Sequence, residues 1–283
     1  MRAKTFFPSL SRLYKVRLLL TIIILLTIPF IVFLSHQPLK IRPYVSIPIM
    51  DLVNGKGTKY WVVDYETGDL TQWSEVHAGG TWGNSSVKVV TSPVRYGKYA
   101  VKFTVNAGGA GDAQRAEVSA TQQQTGGYAG EEWYYSWSIL VPSVPNGTTG
   151  WAEWTLITQW MDLLYQCSPP LQIDIRPGTP PHFILGSVLL DNKNGCKPLG
   201  PTQEWDLGPL QYDQWNDFTI RIKWSNDPSV GFVEMWRNGV RVVPLTHVRT
   251  LDTSGGVYME QDLYRPTYSG TNVIYFDDTR RSG

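Results

Sequence analysis

Three stretches of the sequence place polar side chains at two-residue spacing. Arg115 and Glu117 alternate with Ala116 and Val118. Gln172, Asp174 and Arg176 interleave with Leu171, Ile173 and Ile175. Tyr258, Glu260, Asp262 and Tyr264 stand two apart in the run Val257 to Arg265. In a β-strand, residues i and i+2 point the same way, so each stretch is expected to show acids, arginines and tyrosines on one sheet face with apolar residues behind. An arginine fork can hold a carboxylate through two parallel hydrogen bonds, and aromatic rings supply flat apolar platforms that stack on sugars. A concave face for a polyhydroxylated, acid-bearing chain requires this arrangement. The solvated outer face of an antiparallel sheet produces the same alternation, so the pattern alone leaves both readings open.

The elements that would carry these residues are short strands. Tyr99, Val101, Phe103 and Val105 alternate with Ala100, Lys102 and Thr104, and Phe218, Ile220, Ile222 and Trp224 alternate with Thr219, Arg221 and Lys223. Both show the period-2 pattern of a half-buried strand. Glu234 to Val242 reads as a hairpin, because Asn238-Gly239 supplies the positive φ angles of a type I′ turn. Beyond residue 60 no segment sustains a 3.6-residue apolar period, and frequent Gly, Pro and Asn punctuate the strands. The expected class is all-β, a sandwich or barrel.

The chain has 283 residues, 42% of them hydrophobic, with a formal net charge of +1. That balance argues against disorder and gives no basic patch for a nucleic-acid partner. All 12 Trp lie beyond residue 60; core packing accounts for such residues as readily as sugar stacking does. Leu18 to Leu34 holds no charged residue, and five Lys or Arg precede it. The run is short for a membrane span and long for a signal-peptide core. The charge asymmetry orients the remainder outward. The organisation expected is a cytoplasmic tail at 1–17, an uncleaved signal anchor at 18–34, a Pro-containing stalk at 35–58 and one extracytoplasmic domain at 59–283. A cleaved signal is the alternative. Cys167 and Cys196 are the only cysteines, and an exported pair is expected to form a disulfide.

Several phrases in order resemble the jelly-roll polysaccharide lyases related to heparin, alginate and glucuronan lyases. Asp64 to Trp73 is similar to their opening strand motif, and Arg115-Ala116-Glu117-Val118 to their Arg-x-Glu strand. Thr158-Gln159-Trp160-Met161 stands where they read Gln-Trp-His or Gln-Ile-His. Trp215 to Phe218, Lys223-Trp224-Ser225, Trp236 to Gly239 and Val257 to Arg265 also match. The resemblance covers about residues 60 to 280 and implies a concanavalin-like β-jelly-roll sandwich. It also implies β-elimination on an acidic, uronate-containing polysaccharide, a reaction that requires no cofactor.

In that chemistry a base removes the proton beside the uronate carboxylate, and the 4-linked oxygen departs with help from an acid. Neutralising the carboxylate is the main electrostatic demand. Arg115 and Gln159 match the family positions for it, and Tyr264 matches the catalytic tyrosine. A free tyrosine ionises near pH 10, about three units above neutrality. His77 is the imidazole placed to assist. Glu117, Gln172, Arg176, Tyr258 and Glu260 are the expected substrate-binding residues. Some relatives hold a structural calcium near the chain ends, for which Glu66 and Asp277 or Asp278 are the oxygen donors available.

Three positions depart from the resemblance. Met161 replaces the histidine, Glu260 a lysine and Asp262 a glycine, and two acids beside a uronate subsite would repel it. These departures favour the alternative of a non-catalytic glycan-binding or envelope protein on the same fold. A glycoside hydrolase of the same sandwich type needs two carboxylates flanking the bond, and no Glu-x-Asp-x-x-Glu strand is present.

Overall fold

The computed structural model describes residues 60–108, 113–143, 150–164, 167, 169–188, 190–191, 195–198, 202–253 and 255–283. The expected tail, anchor and stalk lie outside these residues. Among the described residues no helix is long and apolar enough to cross a membrane.

Two antiparallel sheets face each other. The first runs β15 (Val240–His247), β14 (Phe232–Arg237), β13 (Trp215–Lys223), β6 (Glu132–Leu140), β17 (Asn272–Ser282), β4 (Ala100–Val105) and β3 (Ser85–Val90). In it, β1 (Trp61–Val63) also pairs with β17. The second runs β12 (Gln203–Pro209), β9 (His182–Ser187), β8 (Leu171–Arg176), β7 (Thr155–Asp162), β16 (Val257–Pro266), β5 (Ala113–Ser119) and β2 (Glu75–His77). A separate hairpin joins β10 (Leu190–Asp191) to β11 (Lys197–Pro198).

Side-chain parity builds the core between the sheets. Phe218, Ile220 and Ile222 of β13 face Leu171, Ile173 and Ile175 of β8 and Val257, Met259 and Leu263 of β16 within one apolar cluster. Each such aliphatic or phenyl side chain contributes about 1.5–3 kcal/mol on burial. Trp137, Trp160 and Trp224 belong to this cluster, with Trp160 packed edge-on to Tyr135 at 5.3 Å. Trp224 donates its indole N–H to the Tyr135 hydroxyl at 3.1 Å. Core packing therefore accounts for these tryptophans. The Asn238-Gly239 turn has φ of 50° and 78°, the left-handed pair expected for the β14–β15 hairpin.

The segment Asp64 to Trp73, expected as a strand, is a turn-rich loop following β1. Tyr65 and Gly68 both take positive φ, which ends the strand at Val63. Tyr65 is nonetheless buried and accepts a hydrogen bond from the Trp73 indole at 3.2 Å.

The second sheet fans out where its outer face carries polar residues. Glu260 pairs with Gln159, and Gln159 with Gln172; Tyr264 pairs with Leu156, and Leu156 with Asp174. Between these two rows lie four residue steps on β16, three on β7 and two on β8. Register shifts accommodate the difference. Such bulges bend a sheet and increase its twist, and here they accompany a concave outer face.

Candidate active site

The concave face of the second sheet holds a cavity of ≈650 Å³, well within the range of ligand pockets. Arg115, Gln159, Tyr264 and His77 all line it, as do Glu117, Gln172, Arg176, Tyr258 and Glu260. They come from β2, β5, β7, β8 and β16, and strand pairing rather than chain proximity brings them together. Met161 also lines the cavity, opposite Tyr258 across the β7–β16 pair.

Glu117 is the hub of one end. It is buried, accepts from Arg115 Nη1 at 3.1 Å and lies 2.7 Å from His77 Nδ1. His77 Nε2 lies 3.2 Å from Glu75. Arg115 is the cross-strand partner of Tyr264, and its guanidinium carbon stands 4.1 Å from the centre of the Tyr264 ring. Trp82 flanks the same guanidinium at 5.0 Å, and Trp154 packs edge-on to Tyr264 at 5.2 Å. A cation beside two aromatic faces and one carboxylate is held in a single orientation.

Behind this rim lie three carboxyls. Glu117, Glu260 and Asp262 are buried, and ligand oxygens from all three lie within 4.8 Å of one another. Asp262 accepts from Gln159 Nε2 at 2.5 Å, while its second oxygen is buried without a hydrogen-bond partner. Burial, reinforced by the Glu117 charge and then by Asp262, pushes the Glu260 carboxyl up to about 9. Burial and the same neighbour raise Asp262 well above the ordinary carboxylate range. Three like charges so close in a poorly solvated site cannot all form. Glu260 is therefore a neutral group near neutral pH, and burial beside Glu117 biases Asp262 in the same direction. The repulsion expected from Glu260 beside a uronate is removed by protonation.

At the other end, Arg176 donates to Asp174 from Nε at 2.9 Å and Nη2 at 2.6 Å, and to Glu204 at 3.1 Å. Burial raises the Asp174 carboxyl despite this partner. Cys167 lines the cavity and is bonded to Cys196, with Cα atoms 5.6 Å apart. The expected disulfide thus ties the β7–β8 connection to the turn of the β10–β11 hairpin.

Trp154, Glu153 and Leu156 line the cavity without having been singled out in the sequence. Counting back by twos from Gln159 places Ile157 and Thr155 on the groove face. The extra residue in β7 reverses the parity, so Leu156 and Trp154 face the groove while Ile157 enters the core. The Trp151-Ala152-Glu153-Trp154 phrase carries aromatic density but no signal for that bulge.

Glu66 and Asp277, the expected calcium donors, both clamp one loop. Glu66 accepts from the main-chain N–H groups of Lys98 and Tyr99, and Asp277 from those of Arg95 and Tyr96. Asp278 pairs with Arg280. Among the described residues the one group of three close metal-ligand side chains is Glu117, Glu260 and Asp262, in the groove.

A polysaccharide lyase family model matches residues 65–280. The chain belongs to the polysaccharide lyase family. Membership places it among the carbon–oxygen lyases. Its structure is similar to that of endo-β-1,4-glucuronan lyase from the fungus Trichoderma reesei, with a TM-score of 0.65 and 19% identity over 78% of this chain and 94% of that one. At that identity the likeness speaks for the fold. The alginate lyase AlyC3 superposes with a TM-score of 0.46 and 15% identity, over 64% of this chain and 74% of that one. No curated protein matches the sequence.

Proposed function

We propose that this lyase cleaves a uronate-containing polysaccharide by β-elimination in the groove, on the extracytoplasmic side of a membrane to which residues 18–34 anchor it. The observation that carries this reading is Arg115 held between Glu117 and the Tyr264 ring. A fixed guanidinium beside a phenol is what removal of a proton next to a carboxylate demands.

The substrate carboxylate would lie against Arg115, with the Gln159 amide and the neutral Glu260 carboxyl as further donors. Charge that develops on it as C5 loses its proton is stabilised by donors already in place. Tyr264, as phenolate, takes the C5 proton. The C5–H electrons form the C4=C5 bond, the C4–O bond breaks, and the departing oxygen takes a proton from the Tyr264 hydroxyl. The tyrosine ends as it began, so no cofactor is required. His77, oriented by Glu117, assists the proton transfer from the rim. A structural calcium at the chain-end region would rest on Asp277, whose second oxygen is buried and unpaired.

Met161 favours a second reading, because the groove lacks an imidazole at the position where the resemblance implies one. A glycan-binding protein would then use the same cavity without chemistry. Incubation of the full chain with uronate polymers, followed by the ultraviolet absorbance of the conjugated C4=C5 product, separates the two. Appearance of that product supports elimination, and binding without it supports the second reading.

A further inference from the structure

The cavity is lined by two arginines and, among the described residues, by no lysine. Both arginines are already committed to carboxylates of the protein, Arg115 to Glu117 and Arg176 to Asp174 and Glu204. Arg115 sits on β5 and Arg176 on β8, with β16 and β7 between them. Three inter-strand steps set them about 14 Å apart across the sheet, a span longer than two linked sugar rings.

The floor between the arginines is uncharged or acidic. Gln159, Gln172, Met161 and Tyr258 occupy it together with Glu260, and Glu153 and Trp154 stand at its side. A homopolyuronate presents a carboxylate on every ring. Its intermediate rings would bring charges over Met161 and Tyr258 or against the Glu153 carboxyl, where no lysine or arginine stands among the described lining residues. A desolvated, unpaired charge is among the costliest things a site can hold. An uncharged ring meets what the floor offers. Its hydroxyls reach the amides of Gln159 and Gln172, and its apolar face packs on Tyr258 or Trp154.

We infer that the groove selects a heteroglycan whose uronates are separated by uncharged sugars, over a polymer of uronate alone. This substrate class rests on the proposed function for the bond that is cut, but not for the preference in binding.

The test compares two hexasaccharides with the full chain carrying Tyr264→Phe, by calorimetry at one ionic strength. One is an oligoglucuronate; the other is a hyaluronan fragment, in which glucuronate alternates with N-acetylglucosamine. The hyaluronan fragment is expected to bind tighter by about tenfold or more. Met161→Lys, which adds a cation to the floor, is expected to raise oligoglucuronate affinity and leave the other unchanged. Equal or tighter binding of oligoglucuronate, or no binding of the hyaluronan fragment, overturns the inference. Wild-type turnover keeps the two claims apart. Unsaturated product from polyglucuronate alone would sink the inference and leave elimination standing. A binding preference with no unsaturated product from either polymer would do the reverse.

Discussion

Asp262 and Glu117 are direct cross-strand partners on β16 and β5, two buried acids side by side on one sheet face. Like charges directly opposite each other destabilise a sheet, and here Glu260 adds a third carboxyl from two residues away. The arrangement persists because Arg115 and His77 both contact Glu117, while burial beside it favours the protonated forms of the other two. Glu260 thus stands beside Glu117 as a neutral group.

Protonation of Glu260 makes stability fall as pH rises. Below about 4.5, the ordinary glutamate value, both folded and unfolded chains hold the proton and its contribution is fully present. Above it the unfolded chain releases the proton while the folded chain keeps it. Stability then declines by up to about 1.4 kcal/mol per pH unit, until the group ionises in the folded state at about 9. Glu260→Gln cannot ionise and should flatten this slope. Denaturant unfolding across that interval measures it, and identical slopes in both proteins would remove Glu260 as the cause.

Glu117 should act through its neighbours. Glu117→Gln takes the anchoring charge from Arg115 and His77, and turnover is expected to fall about 10²-fold, as for catalytic groups displaced by roughly an ångström. It also removes the largest charge effect on Glu260. The Glu260 carboxyl should therefore titrate at lower pH in the variant, read by carbon-13 chemical shift. A purely structural role for Glu117 would lower activity without moving that titration.

Much of this site could be read from strand parity. The alternation in Leu171 to Arg176 and in Val257 to Tyr264 told which side chains face the groove, because a regular strand leaves no choice. β7 was harder, since one extra residue between Leu156 and Gln159 inverts the parity and hid Trp154. The charge states were not legible either. They depend on Glu117, Glu260 and Asp262 meeting across a strand pair, and register is a tertiary property. The opening motif misled for a local reason, since Tyr65 adopts a left-handed φ that its residue type does not announce.

The disulfide closes a loop with a sequence separation of 29 residues. Chain-entropy arguments give such a cross-link about 3–4 kcal/mol. Replacing both Cys167 and Cys196 by serine should lower the unfolding midpoint accordingly. Because Cys167 lines the cavity, glycan affinity should fall as well. Unchanged affinity in a stably folded double variant would show that the bridge braces the fold and leaves the groove alone.

Tyr264→Phe is the sharpest test of the proposed chemistry. The substitution removes one oxygen and leaves the ring that Arg115 and Trp154 pack against, so the groove should keep its shape. General acid–base groups contribute about 10²–10⁴-fold, and elimination should fall by at least that much with binding nearly unchanged. Arg115→Ala removes the group that meets the carboxylate in both ground and transition states, so it should weaken binding and turnover together. Met161→His then asks the opposite question. If Tyr264 alone carries the proton, an imidazole at 161, one strand away across from Tyr258, should raise the rate near neutral pH, where a free imidazole is already largely a base. If wild type and Tyr264→Phe release unsaturated product equally fast, the tyrosine is a platform and the proton goes elsewhere, with His77 the remaining candidate on the rim.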